Sequence, residues 1–430
     1  MQFKRKNLAH GACAGILGLA VAAALPAQGQ RGYHQIYDFG AVVAPMGLTG
    51  TGNTLYGTTQ NGGSQGMGSV YALTLPETQG EPWIYTTLYN FGSTPSDGAS
   101  PYNVSIGGYS NGLPVLYGTT SGGGEYAMGT VFSLVPPQTP GGAWTEHVLH
   151  SFQGADGWGP LAPLAVDLRN GEPPVLYGTT GQGGASYGVT NPFGAGAIFS
   201  LTPPATQGGT WTETVLYSFV PGGTEGQIPN NVVLGSGPGG APVLYGFARI
   251  GGALSGGVVF SLAEENGTWT YNDIYDLPRS DVISSPTGLT LGSNGVLYGT
   301  TEPGSAANSG GVVYSLTPPT SAGGSWTENT LYSFGAVVED GMDPAGVVVG
   351  SNGSLYGATS GGGFGYGTVY SLTPPASPGG AWTENVIYRF PFNGEVGGPG
   401  GIVIGPHGTL YGMTYFIGGS TISTVFAIEP

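Results

Sequence analysis

The chain has 430 residues, of which 85 are glycine and 34 proline, and only 7% are charged. Gly and Pro at this level without a G-X-Y period suit a disordered low-complexity chain. Here, however, 39% of residues are hydrophobic and 11% aromatic, and they arrive in short regular packets able to build a core. With the basic N-terminus set aside, five arginines face 24 acids, which argues against nucleic acid or anionic lipid as a partner.

The N-terminus reads as an export leader. Lys4, Arg5 and Lys6 form a positive start, Ala12 to Ala24 an apolar run, and small residues follow. Residues 1–27 are therefore expected to be a signal peptide, cleaved after Ala24 or Ala27. The apolar run is short for a membrane span, so the mature chain is expected to be secreted or extracellular, with no span. Cys13, the single cysteine, lies in this segment, which leaves the mature chain without disulfides, thiol chemistry or Cys-ligated metal.

After the leader the tripeptide Leu-Tyr-Gly recurs seven times, with its tyrosine at Tyr56, Tyr117, Tyr177, Tyr245, Tyr298, Tyr356 and Tyr411. A period of about sixty residues signals a repeat architecture. Each period holds four strand-like packets divided by turn residues. The first is an apolar run before a Gly/Asn turn, as in Gly288 to Leu291 and Gly346 to Val349. The second is the LYGTT strand. The third is seen in Thr130 to Val135, Ala197 to Thr202, Val312 to Thr317 and Thr368 to Thr373. The fourth runs from a Trp to a Phe, as in Trp144 to Phe152, Trp211 to Phe219, Trp326 to Phe334 and Trp382 to Phe390.

Period-2 alternation places Trp326, Glu328, Thr330, Tyr332 and Phe334 on one face of a strand, and no helical periodicity appears beyond the leader. The chain enters on a fourth-type packet, His34 to Phe39, and leaves on a third-type packet, Thr424 to Ile428. That offset predicts an all-β fold: a seven-bladed β-propeller of four-stranded antiparallel blades filling residues 31–430, closed by pairing of the N-terminal strand with the C-terminal blade. An open solenoid is the competing architecture, but no distinctive polar caps are visible at its ends.

The unit LYGTT-x-GG … G-x-VYSLTPP … GG-x-WTE-x-x-LYSF resembles the GloVer tandem repeat of exported bacterial proteins, over roughly residues 34–430. The resemblance implies export and a repeat scaffold without a defined activity. A looser similarity to kelch repeats, which also pair glycines after one strand and place a Trp late in the next hairpin, implies propeller geometry alone.

The variable loops, fourth-to-first and second-to-third, open on one face, and a site is expected there. The fourth-to-first loops carry Asp97, Asp156, Glu225, Asp281, Asp340 with Asp343, and Glu395. A ring of carboxylates could bind a cation or hydroxylated ligand, but Asp-Gly and Glu-Gly are also plain turn formers, and that reading is preferred. Residues that break the repeat are the better leads. Trp158 is the one Trp outside the fourth packets, Phe247 and Arg249 replace the usual threonines, and Tyr126, Tyr187, Phe364 and Tyr366 sit on Gly-rich loops.

Trp158, Asp156, Tyr126, Phe247, Arg249, Asp340, Asp343, Phe364 and Tyr366 are accordingly the candidate ligand-contacting residues. Aromatics there could stack on sugar rings while acids accept hydroxyl hydrogen bonds; the alternative is that the aromatics pack over the blades. No catalytic set, cofactor or metal is expected. His147 and His150, three apart on one strand, point to opposite faces, and no Ser lies in a nucleophile elbow. Glu146, Glu213, Glu328 and Glu384 recur in the shared WTE and read as structural. The expected function is a non-catalytic extracellular scaffold for a glycan or surface protein. The alternatives are an exported glycan-active hydrolase or lyase with acids at the propeller mouth, and a purely structural surface protein.

Overall fold

The computed structural model describes residues 32–429 apart from 41–42, 79, 170–171, 190, 207, 281–282, 307–308, 322, 337–338, 364, 378, 392–396 and 416–421. The expected leader, Phe364, Asp281 and Glu395 lie outside the described residues. Among the described residues no helix is long and apolar enough to cross a membrane.

The strands assemble into seven four-stranded antiparallel sheets, each following chain order except one. Blade 1 is Pro45–Thr51, Thr54–Thr59, Ser69–Thr74 and Ile84–Asn90, and blades 2 to 6 repeat the pattern. Blade 7 takes Pro399–Ile404, Leu410–Thr414 and Thr424–Ile428 from the C-terminal end and completes itself with Tyr33–Asp38. That strand pairs antiparallel with Thr424–Ile428, Tyr33 opposite Ile428 and Asp38 opposite Thr424. The closure expected from the packet offset is the one observed. The fold is a seven-bladed β-propeller.

Third strands are buried along almost their whole length, because neighbouring blades cover both of their faces; this is why they read as unbroken apolar runs rather than alternating ones. Fourth strands form the outer rim and are only half covered, which explains their alternation. First strands run longer than their packets suggest: Gly341–Val349 and Ile283–Leu291 reach back into the preceding loop, each through register shifts. Asp343, expected in a loop, therefore lies on a strand.

The glycine of every Leu-Tyr-Gly has one job. It faces the aromatic residue directly opposite on the third strand: Gly57 faces Tyr71, Gly178 faces Phe199 and Gly412 faces Phe426. A Cβ on Gly178 would fall 2.5 Å from the Phe199 ring, so any side chain there collides with the core. The threonine at the last position of LYGTT accepts a hydrogen bond from a backbone N–H of the third strand, as at Thr120 with Thr130 and Thr359 with Thr368. The facing hydroxyls also pair, at 2.8 and 2.9 Å.

Aromatic contacts join successive blades at an inner position and, at three joints, at an outer one as well. The Leu-Tyr-Gly tyrosine of one blade meets the Trp of the next: Tyr117 with Trp211 at 6.0 Å, Tyr177 with Trp269 at 5.7 Å, and Tyr411 of blade 7 with Trp83 of blade 1 at 5.8 Å. Further out, the residue two beyond that Trp, or Tyr33 in blade 7, which lacks the Trp, meets the residue two before the preceding blade's terminal Phe. Tyr85 stacks on Tyr37 at 4.4 Å, Tyr271 on Tyr217 at 4.3 Å and Tyr33 on Tyr388 at 4.4 Å.

Candidate functional site

The loop face carries much of the exposed apolar surface of the described residues. Met67, Tyr126, Phe193 and Leu254 stand exposed on second-to-third loops, Ile250 at the end of a second strand, Leu161 before a first strand and Ile228 at the start of one. The densest patch sits on blade 3. Its second-to-third loop is long, yet short bridges order it, with Trp158 against Gln182, Gly183 against Gly194 and Tyr187 against Asn191. Trp158 lies 6.0 Å from Phe193 and 6.3 Å from Tyr187, edge-on to the latter. Trp158 and Tyr187 are half-buried, and Phe193 is 54% exposed. Gly181 lies between Leu161 and Ile228, whose side chains come within 4.0 Å of where its Cβ would be. Lacking a side chain, Gly181 leaves the patch continuous.

The acids of the fourth-to-first loops are committed to their own turns. Asp97 accepts from the Tyr89 hydroxyl at 3.0 Å and from the backbone N–H of Gly92, Ser93 and Gly98. Asp340 repeats this with Tyr332, Gly335 and Gly341. Asp156 accepts from the Gln153 N–H and pairs with His150, both at 2.9 Å. All three are buried, which supports the turn-forming reading and leaves no open ring of carboxylates among them. Asp343 accepts from the Ser360 hydroxyl at 2.8 Å.

The remaining candidates divide. Tyr126 stands 48% exposed on the blade 2 loop. Arg249 reaches across to blade 5 and pairs with Glu302, both partly exposed. Two expectations are corrected. Phe247 is buried between blades 4 and 5 against Val259, Leu277 and Leu297, and Tyr366 is buried near Phe390 and Ile402 between blades 6 and 7. Phe247 lies on the Leu-Tyr-Gly strand, and Tyr366 on a strand rather than in a loop, so both rings fill the inter-blade layer instead of facing a ligand. An open groove of about 630 Å³ lies on the rim instead, lined by Tyr217, Glu225, Trp269, Tyr271 and Asp273. Its aromatic wall is the Tyr217–Tyr271 stack, one of the repeated joints.

At the outer joints of four blade pairs a glutamate (Glu146, Glu213, Glu328 or Glu384) replaces the stacking tyrosine. Glu146 approaches Tyr89 and Asp97, Glu384 approaches Tyr332 and Asp340, and Glu213 approaches His150 and Asp156. Burial, followed by the neighbouring aspartate, pushes Glu146 and Glu384 up to about 7. Glu213 is also held at about 7, by burial first, with His150 opposing and Asp156 adding to the rise. In Glu146, Glu213 and Glu384, Oε1 is buried without a hydrogen-bond partner.

The sequence profile of the Gloeobacter/Verrucomicrobia repeat matches residues 34–241 and again 234–430. The chain belongs to that family. No functionally curated protein matches it. Among solved structures, an α-L-arabinanase of Penicillium chrysogenum bound to arabinobiose is similar at 11% identity and TM-score 0.47, over 94% of this chain and 99% of that one. The polysaccharide lyase Uly1 is similar at 12% identity and TM-score 0.49, over 95% and 94%. The surface component PorZ of the Porphyromonas gingivalis type-IX secretion system is similar at 14% identity and TM-score 0.49, over 88% of this chain and 46% of that one. No site is carried across at these values.

Within this Gloeobacter/Verrucomicrobia repeat protein, sequence reading missed His150 and Glu213 as a pair. Each was set down to the scaffold from its own repeat, yet the joint brings His150 Nε2, an Asp156 oxygen and a Glu213 oxygen within 4.8 Å of one another. The available signal was the substitution of His for the tyrosine found at that position in the other six fourth strands.

Proposed function

We propose that the chain is an extracellular, non-catalytic binding scaffold that engages a glycan or surface protein through its loop face. The observation that carries this reading is the ordered, partly exposed group of Trp158, Tyr187 and Phe193 on blade 3, continued by Leu161 and Ile228. Patches of exposed aromatic and aliphatic side chains rimmed by polar groups mark interaction sites. Sugar rings stack on such aromatics, with the Gln182 and Asn191 amides at hand for hydroxyls, whereas a protein partner would also cover Leu161 and Ile228. The basic-apolar leader supports a location outside the cytoplasm. The hydrolase alternative draws no support from Asp97, Asp156 and Asp340, whose carboxylates serve their own turns.

The test is binding to a glycan array and to surface-protein extracts, beside a polysaccharide hydrolysis screen. Trp158→Ala and Phe193→Ala should each weaken binding by about tenfold or more, as hot-spot aromatics do, with unchanged melting temperature. Ligand binding indifferent to both substitutions overturns the assignment of the patch. Polysaccharide turnover overturns the non-catalytic reading.

A further inference from the structure

We infer that the outer joint between blades 2 and 3 is a divalent transition-metal site of the zinc type, ligated by His150, Asp156 and Glu213. The same joint recurs around the ring with three contributing positions: one on the fourth strand, one on the loop that follows it, and one on the next blade's fourth strand. Between blades 1 and 2 these are Tyr89, Asp97 and Glu146; between blades 5 and 6 they are Tyr332, Asp340 and Glu384. Both joints set two carboxyls beside a phenol, and burial pushes Tyr89 up to about 12. A neutral phenol is no metal ligand, so these joints gain nothing from a cation that a proton does not supply.

Between blades 2 and 3 an imidazole replaces the phenol. His150 Nε2 lies 2.9 Å from Asp156 Oδ2, and a Glu213 oxygen completes a set lying within 4.8 Å. Ligands about 2.0–2.2 Å from a tetrahedral zinc stand roughly 3.3 Å apart, so two of the three are in place and Glu213 needs a side-chain movement of about an ångström. Glu213 Oε1 is buried and has no hydrogen-bond partner, so that movement breaks no hydrogen bond of that oxygen. The supporting contacts are also built. Gln153 N–H holds the other Asp156 oxygen at 2.9 Å, and the His150 ring sits edge-on to Phe152 at 4.9 Å.

Access remains from the rim, since the His150 and Asp156 side chains are 20% and 11% exposed, and the fourth position is left to water. One nitrogen and two carboxylates suit zinc and its neighbours rather than calcium, which seeks six to eight oxygens.

The experiment titrates zinc into chelator-stripped protein against a chromophoric competitor at about pH 7.5, with calcium as a second titrant. The expected result is one zinc per chain with micromolar or tighter affinity, no calcium competition, and a stoichiometric shift of one imidazole resonance. His150→Tyr restores the residue the other joints carry and so keeps the ring. It and Glu213→Gln should each weaken zinc by about 10- to 100-fold, while Glu146→Gln, Glu384→Gln and His147→Gln leave affinity unchanged. Absence of saturable binding below about 100 µM zinc, or an affinity in His150→Tyr and Glu213→Gln unchanged from the parent, overturns the site.

Discussion

Tyr71, Tyr314 and Tyr370 close over their Leu-Tyr-Gly glycines just as Phe132, Phe199, Phe260 and Phe426 do, but each tyrosine buries a hydroxyl with no partner. An unsatisfied buried hydroxyl costs about 1–3 kcal/mol, set against the contacts it makes. Tyr314→Phe should therefore be neutral or stabilising by up to about 1 kcal/mol in denaturant unfolding, whereas Gly178→Ala should destabilise by about 1–3 kcal/mol through collision with Phe199. A Tyr314→Phe variant clearly less stable than the parent would mean the hydroxyl is satisfied. The contrast isolates which half of the pair the fold needs: an aromatic ring, and no side chain opposite it.

The joint between blades is the element on which the ring depends, and its protonation should show in stability. Glu146 and Glu384 are held at about 7 in the folded protein against 4.5 for the free group. A carboxyl raised on folding contributes stability that is complete below the unfolded value and is lost as pH rises through the folded value. Between pH 4.5 and 8 these two groups should therefore lower the melting temperature progressively. The double variant Glu146→Gln, Glu384→Gln should flatten that slope in calorimetric scans, and an unaltered slope would show that the two carboxyls are not held up by burial and by Asp97 and Asp340 as described. These joints also mark the boundary of what could be read from sequence. Strand packets, blade count and closure were legible because they repeat along the chain with apolar periodicity. Glu213 was legible only as a member of WTE, because its partners His150 and Asp156 lie a whole repeat earlier and meet it only when blades stack. Phe247 and Tyr366 misled for a related reason: a departure from the repeat can fill the layer between blades as easily as it can decorate a loop.

At the scale of the whole molecule, the ring is held shut by one strand. Tyr33–Asp38 covers the edge of Thr424–Ile428 and supplies Tyr33 and Tyr37 to the stacks with Tyr388 and Tyr85. Deleting residues 32–39 should lower the melting temperature by roughly 10 °C or more and bare an edge strand that recruits further chains, read by calorimetry and light scattering. A monomer melting at the parental temperature would contradict closure by this strand.

The same pairing sets a clock on biogenesis. His34 finds Ala427, so the partners are 393 positions apart (427 − 34). At about 5–20 residues per second, the first strand to emerge waits roughly 20–80 s for the last. Loop-closure entropy grows only slowly over such lengths, so the penalty is one of time rather than of equilibrium. During that interval the outer strand of blade 7 is a free β-edge, open to capture by a neighbouring nascent chain. Six blades can mature in the order they are made, while the seventh is begun first and finished last.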